Sequence, residues 1–100
     1  VLLCPTASTD AMAHDQEGER WERFINVNGE PQSQVDQLFW AGMSGVVYLP
    51  STIAPAGLTP AGLPTGVQIV GPHLGDLQTI DFARLLADEI GGFQAPPGYD

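Results

Sequence analysis

The sequence predicts an α/β fold in which short strands pack with two helices. Three observations carry that expectation. LPTGVQIVG, residues 63–71, reads as a strand entered through a proline and left through Gly71-Pro72, and GDLQTIDFARLLADEI follows at once with helical periodicity. A second helical stripe lies between residues 34 and 46. The opening VLLCPTA begins with a short continuous apolar run, which predicts a strand buried on both faces as in a parallel sheet.

Length and charge bound the rest. One hundred residues make one domain at most, and size scaling leaves about a third or more of such a chain's surface wet. The apolar content of 43% is that of a chain that folds. Twelve acids face three arginines, Arg20, Arg23 and Arg84, with no lysine. The formal charge of −9 repels phosphate backbones and argues against nucleic acid and anionic membranes as partners. Cys4 is alone, so no internal disulfide forms, and no apolar run reaches the roughly 20 residues needed to span a bilayer. A cytoplasmic location is the expectation.

Taken in order, residues 5–22 are polar and rich in turn formers, an extended surface loop. RFINVNGEP alternates briefly and meets Asn28-Gly29, a dipeptide that supplies the positive φ angles of a tight hairpin turn. From Ser33 the pattern turns helical: Val35, Leu38, Phe39, Gly42, Met43 and Val46 form one apolar stripe, Ser33 and Asp36 a capping box, and the helix, about 34–46, ends near Gly45. Pro50 and Pro55 forbid a helix in YLPSTIAPAG, which leaves a strand over about 51–54 and a long loop through Gly57, Pro60 and Gly62. The next strand, about 65–70, pairs with it. Asp76 then caps a helix over 77–90 whose core face is Leu77, Ile80, Ala83, Leu86, Ala87 and Ile90. Asp81, Arg84 and Asp88 make a charged outer series, and Gly91-Gly92 ends the helix. The tail, with Pro96 and Pro97, is irregular.

Residue chemistry offers no catalytic centre. Gly42-Met43-Ser44-Gly45 is the nearest approach to a glycine-flanked nucleophile, but it ends a helical pattern instead of following a strand. His14 and His73 are solvated loop residues. Asp10, His14, Asp15 and Glu17 share no helix face or turn that would aim them at one metal ion, so neither metal nor cofactor is expected. Cys4, inside an apolar strand, is a small buried hydrophobe before it is a nucleophile. GLTPAGLP lacks the lysine and the following helix of a phosphate loop.

Several stretches together resemble one family. Leu2-Leu3-Cys4-Pro5-Thr6, then Val27-Asn28-Gly29, then the Pro-x-x-x-x-Pro-x-Gly pattern of residues 50–57, then Gly62-Leu63-Pro64-Thr65-Gly66-Val67-Gln68-Ile69-Val70-Gly71-Pro72, with Asp76 opening the last helix and Pro96-Pro97-Gly98-Tyr99 at the end, are similar to the C-terminal part of amidase signature enzymes. The likeness covers nearly the whole chain. It implies that residues 1–100 are part of a single amidase domain, a few strands of a large mixed sheet with two main covering helices. It also implies hydrolysis of carboxylic amides through a Ser, cis-Ser, Lys triad. The triad lies upstream of the portion matched here, and a chain without lysine supplies no base. No catalytic residue is therefore assigned, and the isolated segment is expected to be inactive.

The partners so implied are the N-terminal catalytic portion of the same enzyme, a small-molecule amide and, through bare sheet edges, a second copy of the chain. Because ligands gather at the carboxyl ends of strands, Thr6 and Ala7 are the candidates for substrate contact. Trp40, in the long helix, is a second candidate, for which a core aromatic on or beside the apolar stripe is the stronger reading. The chain departs from the family at Gly45-Val46-Val47-Tyr48, where many members carry a small polar residue. It departs again near Leu38, where glutamine-directed members carry an acid. The alternative reading is a small autonomous acidic binding or structural domain with amidase-like strand and helix order.

Overall fold

The computed structural model describes residues 1–99. Its elements run β1 (Leu2–Pro5), a 3₁₀ turn (Arg20–Glu22), β2 (Phe24–Val27), β3 (Glu30–Ser33), a 3₁₀ turn (Gln34–Gln37), α1 (Leu38–Gly45), β4 (Ser51–Leu58), β5 (Pro64–Val70) and α2 (Asp76–Ile90). Three strands make one sheet in the order β1-β5-β4, and β2 and β3 form a separate ribbon. The fold is therefore mixed α/β with small sheets.

β5 is the middle strand. Both neighbours run antiparallel to it, with Leu3 and Thr52 on either side of Ile69, and Cys4 and Ile53 on either side of Gln68. Central position explains burial: Gln68, Ile69 and Val70 are all buried, Ile69 completely. Alternation then assigns faces. Thr52 and Ile69 face α2, where Thr52 Oγ1 lies 2.8 Å from Thr79 Oγ1. Ser51, Cys4 and Gln68 face the other way, toward α1, and Ser44 of α1 donates to Ser51 Oγ at 3.2 Å.

Several expectations are met. Asn28 (φ 55°) and Gly29 (φ 90°) form the two-residue turn between β2 and β3, and Gly29 N–H is held by Asn26 Oδ1 at 2.8 Å. β4 and β5 are a hairpin. Arg84 bridges Asp81 at 3.0 Å and Asp88 at 3.3 Å on the exposed side of α2, and Gly91 (φ 100°) is its C-cap.

Others are corrected. β1 is not a doubly buried strand of a parallel sheet: it is an antiparallel edge strand, and Leu2 and Leu3 are about half exposed. The expected helix over 34–46 begins as a 3₁₀ turn and is α-helical only over Leu38–Gly45, because Ser33 still belongs to β3 and its side chain makes no capping bond. Pro31 is inside β3, in a ribbon whose edges require no donor from it. β4 runs on to Leu58 through Pro55, which an edge strand tolerates, with a bulge between Pro55 and Gly57. The hairpin loop is correspondingly short, closed by Gly62 N–H to Thr59 O and Thr59 N–H to Leu63 O, each at 2.8 Å. The N-cap of α2 is Gly75, not Asp76. Its sheet-facing side is Thr79, Phe82, Ala83, Leu86 and Ala87, whereas Leu77, Ile80 and Ile90 are exposed.

The core is thin for the apolar content. Only Ile25, Val27, Ala54, Ile69 and Val70 are buried hydrophobics among the described residues. The accessible surface is 7394 Å², against about 5,500 Å² for a compact monomer of this mass. The radius of gyration is 15.3 Å, against about 13 Å for a compact 100-residue domain.

Candidate functional site

β1 and β4 are both antiparallel to β5 and therefore point the same way, so their carboxyl ends lie together beside the start of β5. Here the chain leaves the sheet at Pro5 and turns through Thr6 and Ala7. A groove of about 440 Å³ opens between this turn, its continuation to Ala11, and Pro64, Thr65 and Gly66. A second groove of about 420 Å³ lies on the turn's other side, lined by Met12, Arg20, Arg23, Gln34, Gln37 and Leu38 together with the same Thr6 and Ala7. The two sequence-derived pocket residues thus form a wall common to both.

Gly66 lines the first groove beside β4. A Cβ there would stand 3.3 Å from Ala54 O and from Ile53 Cγ2, and 3.7 Å from Thr6 Cγ2. The tight contacts are those to β4, whereas the one to Thr6 is an ordinary van der Waals distance.

Trp40 lines neither groove but is tied to the wall by one step. Its Nε1 donates to Ser8 Oγ at 3.4 Å, and Ser8 N–H donates to Gln37 Oε1 at 2.9 Å. Its ring packs edge-on against Phe39, with centroids 5.1 Å apart. Gln68 fixes Trp40 from below: Nε2 donates to Trp40 O at 3.2 Å and to Cys4 Sγ at 3.4 Å. Cys4 returns a weak bond to Gln68 O at 3.8 Å. The buried amide of Gln68, together with the Ser44–Ser51 hydrogen bond, ties α1 to the sheet face that carries Cys4.

Sequence reasoning missed Ser8, Gln37 and Gln68. Gln68 had a signal, as the single polar residue inside VQIV, a strand otherwise apolar on both faces. Ser8 and Gln37 had none, because their meeting is a contact across 29 residues. Other candidates stand apart. Ser44 is buried and bonded to Ser51, and His73 Nδ1 lies 3.3 Å from Tyr48 O. Among the described residues no three His, Cys, Asp or Glu side chains gather to hold a metal ion, and no helix is long and apolar enough to cross a membrane.

Strand order, hairpin and terminal helix carry the residues quoted above as one ordered set, and residues 1–80 match the Amidase family. This chain belongs to the amidase family. Among curated amidase relatives, it is 39% identical over 57 residues to zebrafish (Danio rerio) fatty-acid amide hydrolase 2-A, covering 57% of this chain and 11% of the relative. It is 36% identical over 99 residues to a glutamyl-tRNA(Gln) amidotransferase subunit from Rhizorhabdus wittichii, covering 97% of this chain and 17% of the relative. The corresponding mitochondrial glutamyl-tRNA(Gln) amidotransferase subunit from mouse (Mus musculus) is 28% identical over 90 residues, 90% of this chain and 16% of the relative. The chain thus spans less than a fifth of the length of each of these relatives.

Proposed function

We propose that this chain is the C-terminal portion of an amidase domain and acts in the hydrolysis of carboxylic amides, with the Ser, cis-Ser, Lys triad supplied by an N-terminal portion. The single observation that carries this is the family match over residues 1–80 in a sequence without lysine. The triad needs a neutral lysine to take a proton through the bridging serine while the second serine attacks the carbonyl. Its base must come from elsewhere, and the role left to this segment is to build the substrate groove. Thr6 and Ala7 form the wall against the acyl group, and Trp40 holds that wall through Ser8.

The thin core supports the same reading. The surface in excess of a compact monomer is about 1,900 Å², on this side alone more than the roughly 800 Å² that each partner buries in a standard-size interface. β1 and β4 are both sheet edges, open to pairing with strands of the catalytic portion in one larger mixed sheet. The free thiol of Cys4 suits a cytoplasmic setting.

The test is reconstitution. The segment alone, the catalytic portion alone and the two co-expressed are assayed for ammonia release from a panel of neutral and acidic amides, with hydroxylamine trapping the acyl-enzyme. Activity is expected only for the pair. A 100-residue monomer that unfolds cooperatively and does not associate would refute the reading.

A further inference from the structure

In a chain with twelve acids, arginines ordinarily find carboxylates, and Arg84 finds two. Arg20 and Arg23 do not. Glu17, Glu19 and Glu22 lie within a few residues of both, yet neither guanidinium pairs with a carboxylate among the described residues. Glu22 instead accepts from Glu19 N–H at 3.1 Å. Arg23 is held in place by backbone carbonyls, Nε to Glu17 O at 3.2 Å and Nη2 to Gly18 O at 3.1 Å, which orient the guanidinium without neutralising it. Both arginines line the second groove, whose other wall is Thr6 and Ala7, and no acid lines it.

We infer that Arg20 and Arg23 form a carboxylate-binding subsite, so that the amide substrate carries an acidic group on its acyl part. The inference rests on the amidase reading and names the substrate class for that site. The chemistry is specific. A guanidinium presents paired donors that match a carboxylate, and its charge-assisted hydrogen bonds are about twice as strong as neutral ones. Two arginines that pair with no carboxylate among the described residues, in one groove that no acid lines, give an anion a favourable place to settle. Met12 and Leu38 supply apolar contact for the methylenes between the carboxylate and the amide.

The experiment uses the complete enzyme that carries this segment. Succinamate, glutaramate and adipamate are compared with butyramide, valeramide and hexanamide. At least one ω-carboxylate amide should have the higher kcat/KM, and R20Q and R20Q/R23Q should reduce that preference, read as the ratio of acidic to neutral kcat/KM within each variant, about 10- to 100-fold, mainly through KM. R84Q, on the far side of α2, should alter neither series. R20Q alone guards against disturbance of the loop that Arg23 supports. Equal kcat/KM for acidic and neutral amides in the parent enzyme overturns the inference while leaving the amidase reading intact. If no amide is hydrolysed, that reading falls, and equilibrium dialysis of glutaramate still decides the subsite: binding lost in R20Q supports it, and no binding to the parent enzyme overturns it.

Discussion

Gly71→Ala tests the packing of α2 on the sheet at a single atom. Gly71 follows β5 and is buried, its N–H bonded to Pro50 O at 2.9 Å. It is not among the positive-φ glycines, so backbone strain does not explain its need for a bare Cα. Space does. An added Cβ would lie 2.5 Å from Thr79 Cγ2 and 3.3 Å from Gly75 O. Thr79 has no room to yield: it is 1% exposed, and its hydroxyl is held at 2.8 Å by Thr52 Oγ1 and at 2.8 Å to Asp76 O. Overpacking of this kind costs about 1–3 kcal/mol, and loosening either hydroxyl bond adds about 1 kcal/mol. The expected loss is about 3 kcal/mol, roughly a 150-fold increase in local opening. Hydrogen exchange of the β4 and α2 amides in the complete enzyme measures it, since it reports local opening without requiring global two-state unfolding. Thr79→Ser removes the clashing methyl and keeps the hydroxyl, so G71A/T79S should recover most of the loss, a coupling visible in the double-mutant cycle. Protection in G71A within about 0.5 kcal/mol of the parent, or no recovery in the double variant, would refute the reasoning.

The other predictions bear on the groove, the ribbon and the exposed surface. Gln68→Leu should cost about 1 kcal/mol by removing the side-chain bonds that tie Trp40 O and Cys4 Sγ to β5, and should red-shift the Trp40 emission in a W21F background; an unshifted spectrum would mean that Gln68 does not hold α1. Gly29→Ala forces a side chain at φ 90° and should lower the local stability of the β2–β3 ribbon by about 1–2 kcal/mol, whereas exchange rates across the ribbon that match the parent would contradict the turn. The isolated segment should bind a hydrophobic dye and sediment above its monomer mass, because Leu2, Leu3, Ile53, Leu77 and Ile80 are about half exposed or more. A dye-negative monomer would count against an interface on this scale.

The two strand-and-turn signatures are legible in the sequence because their causes are local. Asn28-Gly29 turns the ribbon through its own φ preferences, and Gly91 ends α2 for the same reason. The candidate site is legible only in part. The sequence places Thr6 and Ala7 just past the carboxyl end of β1, and both line the grooves. Trp40, a pocket candidate by sequence, sits one step behind the wall, bonded to Ser8. Periodicity misjudges α2 because it ranks residues by apolarity. The helix seats itself by hydrogen-bonding a buried threonine pair, and so turns Leu77 and Ile80 outward.

By itself the sequence determined the element types, the turns, the family and the lack of any lysine to serve as a base, each of which depends on residue identity or short-range geometry. Tertiary structure alone decided that β1 pairs antiparallel at an edge, that Gln68 joins α1 to the sheet, and that Arg20 and Arg23 face one groove. Those facts depend on contacts such as those 28 residues apart between Trp40 and Gln68 and 64 residues apart between Cys4 and Gln68. No local propensity encodes a pairing at that distance, because its free energy arises only when the intervening chain has already been folded into place.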